Sequence, residues 1–178
     1  MASSPDHYVP EPGPDGLRAW EVASGVLRDP DGAVVMVENR RRNGATDWST
    51  PGGVVDPGEV PLEALTREVV EETGLAVPAW EGPLYVVEVV APGFGFRSRC
   101  EVHAAVSYSG EVQIDDPDRI VVAVDLVAVE EVADRLASAP RWVAEPMLEH
   151  LHDGVSDGRT FAYRLEGSSA ADRSIVRL

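Results

Sequence analysis

The sequence predicts an α/β fold with helices packed on a mixed sheet, on three observations. Short runs rich in Val and Ala recur between Gly/Pro turns over residues 17–127. One segment, Pro61–Thr73, replaces that pattern with a helical apolar period. Two further helical patterns, Glu130–Ser138 and Trp142–His152, follow the strand-like runs. Strands and helices interleaved in this way imply helical layers on a sheet.

Taken in order, residues 1–16 are rich in Pro, Asp and Gly without apolar periodicity and read as a flexible N-terminal arm. Leu17–Arg28 is a strand, closed by the turn Asp29-Pro30-Asp31-Gly32. Ala33–Glu38 is a second strand, so a hairpin is expected. Asn39–Ser49 is polar and arginine-rich and reads as a loop. Pro61 suits the first turn of a helix, where its missing N–H costs nothing, and Gly74 suits the left-handed position that ends one. Leu62, Leu65 and Val69 then form the buried stripe. Leu84–Val90 and Arg99–Tyr108 are strands joined by the loop Ala91–Phe96, and the acidic loop Ser109–Asp118 leads into a strand at Arg119–Val127. The main domain is expected over residues 17–153. Residues 154–178 form a C-terminal extension with one more strand at Arg159–Leu165, and the Ser/Ala-rich end carries little signal.

A length of 178 residues fits one domain with a real core. The net charge of −16 argues against a broad basic face for a nucleic-acid polymer. All fifteen Lys/Arg cations are arginines. Cys100 is the only cysteine, which excludes an intrachain disulfide and suggests a reducing compartment. The first residues lack a basic-then-apolar leader. The longest apolar stretch, Ile120–Val129, is broken by Asp125 and too short for a bilayer. A cytoplasmic protein without membrane contact is expected.

The chemistry concentrates on the Pro61–Thr73 helix. Glu68, Glu71 and Glu72 fall at i, i+3 and i+4 and so share one face, where like charges repel. Glu68 and Glu72 flank the buried stripe and Glu71 points further out. A carboxylate at the edge of a core needs a positive partner, and a divalent cation with oxygen ligands supplies one.

Gly53, Glu59, Arg67, Glu68, Val69, Glu71, Glu72, Gly74 and Leu75 together resemble the Nudix box, G-x5-E-x7-R-E-U-x-E-E-x-G-U with U a bulky apolar residue, and every specified position is filled. Seven such identities coincide by chance on the order of 10⁻⁷ per start position at ordinary residue frequencies. The resemblance implies a Nudix-type α/β/α sandwich with a mixed β-sheet. It also implies Mg²⁺-dependent hydrolysis (Mn²⁺ as an alternative) of a phosphoanhydride in a small nucleotide derivative. Carried over, Glu68, Glu71 and Glu72 would ligate the metal with help from the Gly52 carbonyl. Glu59 and Arg67 would hold those carboxylates in place. Glu68 or Glu71 is a candidate general base, as are Asp115, Asp116 and Asp118 on the acidic loop.

Arg40, Arg41 and Arg42 are candidates for substrate phosphates, since guanidinium forks match phosphate oxygens. Trp48 would stack on a base or pack under its loop, with packing favoured. Pro92 and Phe94 lie in a loop similar to that of ADP-ribose-cleaving relatives. Trp48–Gly53 is closer to relatives that clean up nucleoside triphosphates, including oxidised ones, so ADP-ribose, nucleotide sugars and (d)NTPs all stay open as substrates. His103 and Cys100 read as ordinary strand residues. A catalytically silent Nudix-like nucleotide-binding regulatory module and an acidic domain without metal are the competing readings. The intact box disfavours the first and the glutamate repulsion the second. Homodimerisation is common in the family and is carried as an open expectation.

Overall fold

The computed structural model describes residues 8–41, 43–169 and 171–178. Its strands are β1 (Arg18–Val26), β2 (Val34–Arg40), β3 (Thr46–Ser49), β4 (Gly52–Val54), β5 (Trp80–Ala91), β6 (Phe96–Ala105), β7 (Val121–Val127), β8 (Thr160–Glu166) and β9 (Ser174–Arg177). Its α-helices are α1 (Pro61–Thr73), α2 (Val129–Arg135) and α3 (Arg141–Asp153).

The strands divide into two sheets. One has the order β4-β1-β6-β5-β8-β9, and it is mixed, because β1 runs parallel to β6 and β5 parallel to β8. The other is antiparallel, in the order β3-β2-β7. Between β1 and β2 the chain keeps only the beginning of the expected hairpin: a bridge from Arg28 to Val34 and the Val35 N–H to Leu27 carbonyl bond. Beyond it the two strands enter different sheets. β2 lacks a polar alternate from Val34 to Val37, all four being buried, which is the pattern of a strand covered on both faces.

Ala23, Leu27 and Val35 pack with Ala64, Leu65 and Val69 of α1 in one core. Val34, Met36, Tyr85, Val87, Val89, Phe161 and Tyr163 form the other, against Val132 and α3. Helices therefore cover both sides of the sheet layer, as a sandwich requires. Leu62 does not join the buried stripe. It is 40% exposed, and fully buried Ala64 takes a core position instead. The helix ends as expected, with Gly74 left-handed at φ 75° and its N–H on the Val70 carbonyl.

The expected loop Asn39–Ser49 contains the end of β2 and all of β3. Its polar residues satisfy one another: Asn39 Nδ2 donates to Ser49 Oγ at 2.9 Å, and Arg41 forks Asp47. Polarity there does not exclude a strand, because the partners lie across the ladder. The Ser/Ala-rich end closes with β9, and β8 pairs with β5, so the segment after residue 153 adds two strands to the larger sheet. The Arg177–Glu149 and Tyr163–Glu145 contacts tie these strands to α3. Of the expected arm, residues 1–7 lie outside the described residues. Asp15 pairs with Arg97 at 2.9 Å and the Pro10 carbonyl accepts from Arg18. Among the described residues no helix is long and apolar enough to cross a membrane.

Candidate functional site

The glutamates stand where the chain crosses between the sheets. β3 leaves the smaller sheet at Ser49, and β4 enters the larger one at Gly52. Ser24 Oγ holds this crossing, 2.7 Å from Thr50 Oγ1 and 3.1 Å from the Pro51 carbonyl. Antiparallel register sets Gly52 beside Ser24 and Gly53 beside Ala23, under α1.

Gly52 is sterically required, and at Gly53 the space a side chain would fill is taken by Glu68. A Cβ on Gly52, which sits at φ +146°, would fall 2.3 Å from the Ala23 carbonyl oxygen. One on Gly53 would fall 2.4 Å from the Glu68 carboxyl carbon. Bare backbone thus lets the helix lay a carboxylate directly on the strand. Gly52→Ala is expected to cost ~2–4 kcal/mol through backbone strain and displacement of β4 from β1. Thermal unfolding will show this as a Tm lower by roughly 5–15 °C.

Arg67 is the hub of the acidic group. Its Nε and Nη2 each stand 3.0 Å from one oxygen of Glu59, a two-pronged grip. Nη1 reaches Glu68 at 2.8 Å and Glu71 at 3.2 Å, and Nη2 also donates to the Val54 carbonyl. The Arg67 hydrogen bond is the largest influence on Glu59 and holds its pKa below the ordinary carboxylate value. The Glu59 contact in turn raises Arg67 above the usual arginine range.

Glu68 and Glu72 are shifted the other way. Burial is the main cause of the raised Glu68 pKa; Arg67 partly offsets it, while Glu71 and Asp118 add repulsion. Glu72 is only 8% exposed, and its Oε2 accepts the Gly52 N–H at 2.8 Å. Burial pushes it up to about 8, against the help of that N–H, and Glu68, Asp116 and Glu71 raise it further. The Gly52 N–H is thus the group that meets the Glu72 carboxylate.

The acidic loop is fastened to the same helix. Gln113 N–H donates to the Thr73 carbonyl and Asp115 N–H to the Glu71 carbonyl, both at 2.9 Å. These bonds satisfy carbonyls that the last turn of α1 leaves free. Asp116 organises the turn that follows, accepting the Asp118, Ile120 and Val121 N–H groups at 2.9, 2.7 and 2.8 Å. The loop thereby brings Asp116 within electrostatic reach of Glu72 and Asp118 within reach of Glu68. Asp115 engages α1 through its backbone, and its side chain is exposed.

The donor set of Glu68, Glu71 and Glu72 consists of hard carboxylate oxygens, and burial raises the pKa of Glu68 and Glu72. That chemistry suits Mg²⁺ or Mn²⁺. Among the described residues no three acidic or imidazole groups are gathered as a ready metal centre. Nη1 of Arg67 bridges Glu68 and Glu71 instead.

The other expected site residues separate into groups. Arg40 ends β2 with its N–H on the Ile120 carbonyl at 2.8 Å, next to the Asp116 turn. Arg41 is engaged by Asp47 at 2.6 and 2.5 Å, so its fork is occupied. Arg42 lies outside the described residues. Trp48 packs on the core and carries the Arg135 guanidinium 4.5 Å from its ring centroid, so packing prevails over stacking on a base. Pro92 and Phe94 form a short 3₁₀ turn between β5 and β6. Phe96, just after it, pairs with Arg18, whereas Gly53 pairs with Ala23 five residues further along β1. That separation is about 17 Å along a strand, and the structure does not bring these two residues to the glutamates.

The sequence gives no signal for Ser24 or the Val54 carbonyl, which the structure brings to the crossing and to Arg67.

Comparison with known proteins follows the same lines. The NUDIX domain profile matches residues 20–151. An RNA pyrophosphohydrolase from Xanthomonas campestris pv. campestris is 38% identical over 76 residues, 38% of this chain and 35% of that protein. An 8-oxo-dGTP diphosphatase from Haemophilus influenzae is 38% identical over 56 residues, 31% of this chain and 41% of that protein. The chain spans less than half the length of these curated relatives. Among solved structures, a MutT NUDIX hydrolase from Burkholderia pseudomallei superposes with a TM-score of 0.60 at 26% identity, covering 71% of this chain and 96% of that one.

Proposed function

Since the chain belongs to the NUDIX domain family, we propose that it is a divalent-metal-dependent pyrophosphohydrolase that cleaves a phosphoanhydride bond in a small nucleotide derivative. The observation that carries this reading is the acidic corner itself. Glu68 and Glu72 are laid on bare glycine backbone and have their pKa raised by burial, while Arg67, fixed by Glu59, joins Glu68 to Glu71. A structural domain gains nothing from such an arrangement, and a silent module needs no complete set of ligands.

In the proposed reaction Glu68, Glu71 and Glu72 hold the metal, with Mg²⁺ favoured. A bound metal of this kind neutralises phosphate charge and lowers the pKa of water. Gly52 N–H orients Glu72 through its hydrogen bond, and Arg67 orients Glu68 and Glu71 while Glu59 fixes Arg67. Groups so tethered meet the substrate already aligned. Proton removal from the attacking water falls to a carboxylate of this corner, with Glu68, Glu71 and the loop aspartates Asp116 and Asp118 as the candidates. Arg40, whose backbone adjoins the Asp116 turn, is the arginine we assign to phosphate oxygens.

The test is a product assay with Mg²⁺ on ADP-ribose, nucleotide sugars, dinucleoside polyphosphates, ordinary and oxidised dNTPs, and RNA bearing a 5′-triphosphate. The two relatives' names motivate the last two classes. Turnover of at least one class, lost on chelation, is expected. Absence of turnover with every class would reject the enzyme reading in favour of a binding module.

A further inference from the structure

A cavity away from the acidic corner plays no part in the proposed reaction. It encloses about 360 Å³ where the chain leaving β1, the end of β6 and the last turn of α3 meet. Val26, Ala104 and Leu151 line it from the core beneath α3, and Val26 and Ala104 are neighbours across the β1–β6 ladder. Arg28 and His150 bring the charged and polar groups to its wall. Arg28 follows Ser24 by four residues, about 13 Å along extended chain. No lining residue belongs to the glutamate corner. A volume this close to the lower limit of ligand pockets, roughly 300–1,000 Å³, suits a molecule smaller than a nucleotide.

The two polar groups are complementary, one a donor and one an acceptor. His150 Nδ1 stands 2.7 Å from the Val155 carbonyl oxygen, which can only accept, so Nδ1 carries the proton. Nε2 is then an acceptor, and its partner among the described residues is Arg28 Nη2 at 3.5 Å, the outer limit of a hydrogen bond. Burial lowers the His150 pKa from its ordinary value; the Val155 bond opposes this and Arg28 adds to it. At neutral pH the Nε2 lone pair is therefore available. Arg28 is exposed and has no carboxylate partner among the described residues. The adjacent Asp29 is occupied by the Ala33 N–H at 2.8 Å. A guanidinium beside an imidazole acceptor, over an apolar floor, matches a ligand with an anionic oxygen next to an O–H and a short apolar body.

We propose that this cavity is a binding site for a small 2-hydroxy acid with an aliphatic body. The carboxylate accepts from the Arg28 guanidinium, a charge-assisted bond. The hydroxyl donates to His150 Nε2, and the carbon chain lies on Val26, Ala104 and Leu151. A carboxylate and its 2-hydroxyl sit on adjacent carbons, as Arg28 and His150 stand side by side. Inorganic phosphate offers the same pair of O⁻ and O–H but has no apolar body to bury, so the floor favours the organic acid. Binding here is independent of the nucleotide chemistry and is measurable whether or not the protein turns over any nucleotide.

The experiment titrates the full chain with 2-hydroxyisocaproate, isocaproate, 2-hydroxyisocaproamide and inorganic phosphate, by calorimetry and by melting curves at neutral pH. At about 10 mM the hydroxy acid is expected to raise Tm by about 2–5 °C. Loss of the hydroxyl should weaken binding ~3–10-fold, and replacement of the carboxylate by the amide ~10-fold or more. Phosphate should bind more weakly than the hydroxy acid. Arg28→Gln should weaken the hydroxy acid ~10-fold or more, and since the side chain is exposed it should leave the ligand-free Tm within about 1 °C. His150→Phe, which keeps a ring beside Tyr85 but removes the acceptor, should bind the hydroxy and deoxy acids equally. No binding of the hydroxy acid, an affinity unchanged by Arg28→Gln, or phosphate bound as tightly as the hydroxy acid would overturn the assignment.

Discussion

Glu72→Gln is expected to remove most hydrolysis and, in chelator-treated protein at pH 8, to raise the melting temperature. The two effects have one cause. Glu72 is buried with a single hydrogen bond from Gly52 and with Glu68, Glu71 and Asp116 as like-charged neighbours. Its pKa is raised to about 8, so the folded chain holds a proton that the unfolded chain releases near 4.5. A carboxyl raised in this way contributes stability that is complete below about pH 4.5 and lost as pH climbs towards 8. Melting curves of chelator-treated wild type should fall by about 5 °C over that window, and Mg²⁺ should restore the loss. A glutamine retains an acceptor for the Gly52 N–H but has no charge to develop, so its melting curve should be nearly flat. Turnover should drop by ~10²-fold or more, about 2.7 kcal/mol of barrier. A variant with undiminished rate, or a wild-type melting temperature that rises with pH under chelation, would contradict the role given to Glu72.

The second large effect is expected at Arg67. This side chain is 31% exposed, so screening by water moderates its ion pairs, yet it is bonded to three carboxylates at once. Arg67→Ala leaves Glu59, Glu68 and Glu71 facing one another without a cation, at a cost of ~2–3 kcal/mol. Scanning calorimetry should register a melting temperature lower by roughly 5–10 °C at pH 7.5. The deficit should shrink as pH falls towards 4, because the carboxylates then lose their charge. Arg67→Lys should recover little, because one ammonium cannot span the two oxygens of Glu59 and also reach Glu68 and Glu71. A deficit independent of pH would mean that packing of the side chain, rather than its charge, stabilises the corner.

Much of this was legible from residue spacing. Pro61 and Gly74 bracket the helix, and its 3.6-residue period puts the three glutamates on one face before any tertiary contact is considered. Leu62 was misplaced because period alone defines a stripe and not its width: the smaller Ala64 fits closer to the sheet. β3, β4 and β9 have three or four residues each, too few for any period to register. The Asn39–Ser49 segment misled for a different reason. Its polar residues satisfy one another across a ladder that spans ten positions of sequence.

The sequence by itself determined the helix, the identity of the carboxylates at its face and the glycines and arginine that serve them, since these depend on local geometry within one contiguous segment. Only the tertiary structure decided which residues share their surroundings. It separated β1 from β2 into two sheets, fastened the acidic loop to the end of α1, occupied Arg41 and Trp48 elsewhere, and kept Pro92 and Phe94 at a distance. Such contacts join residues far apart in the chain, and their energies depend on burial and register, which no local spacing encodes.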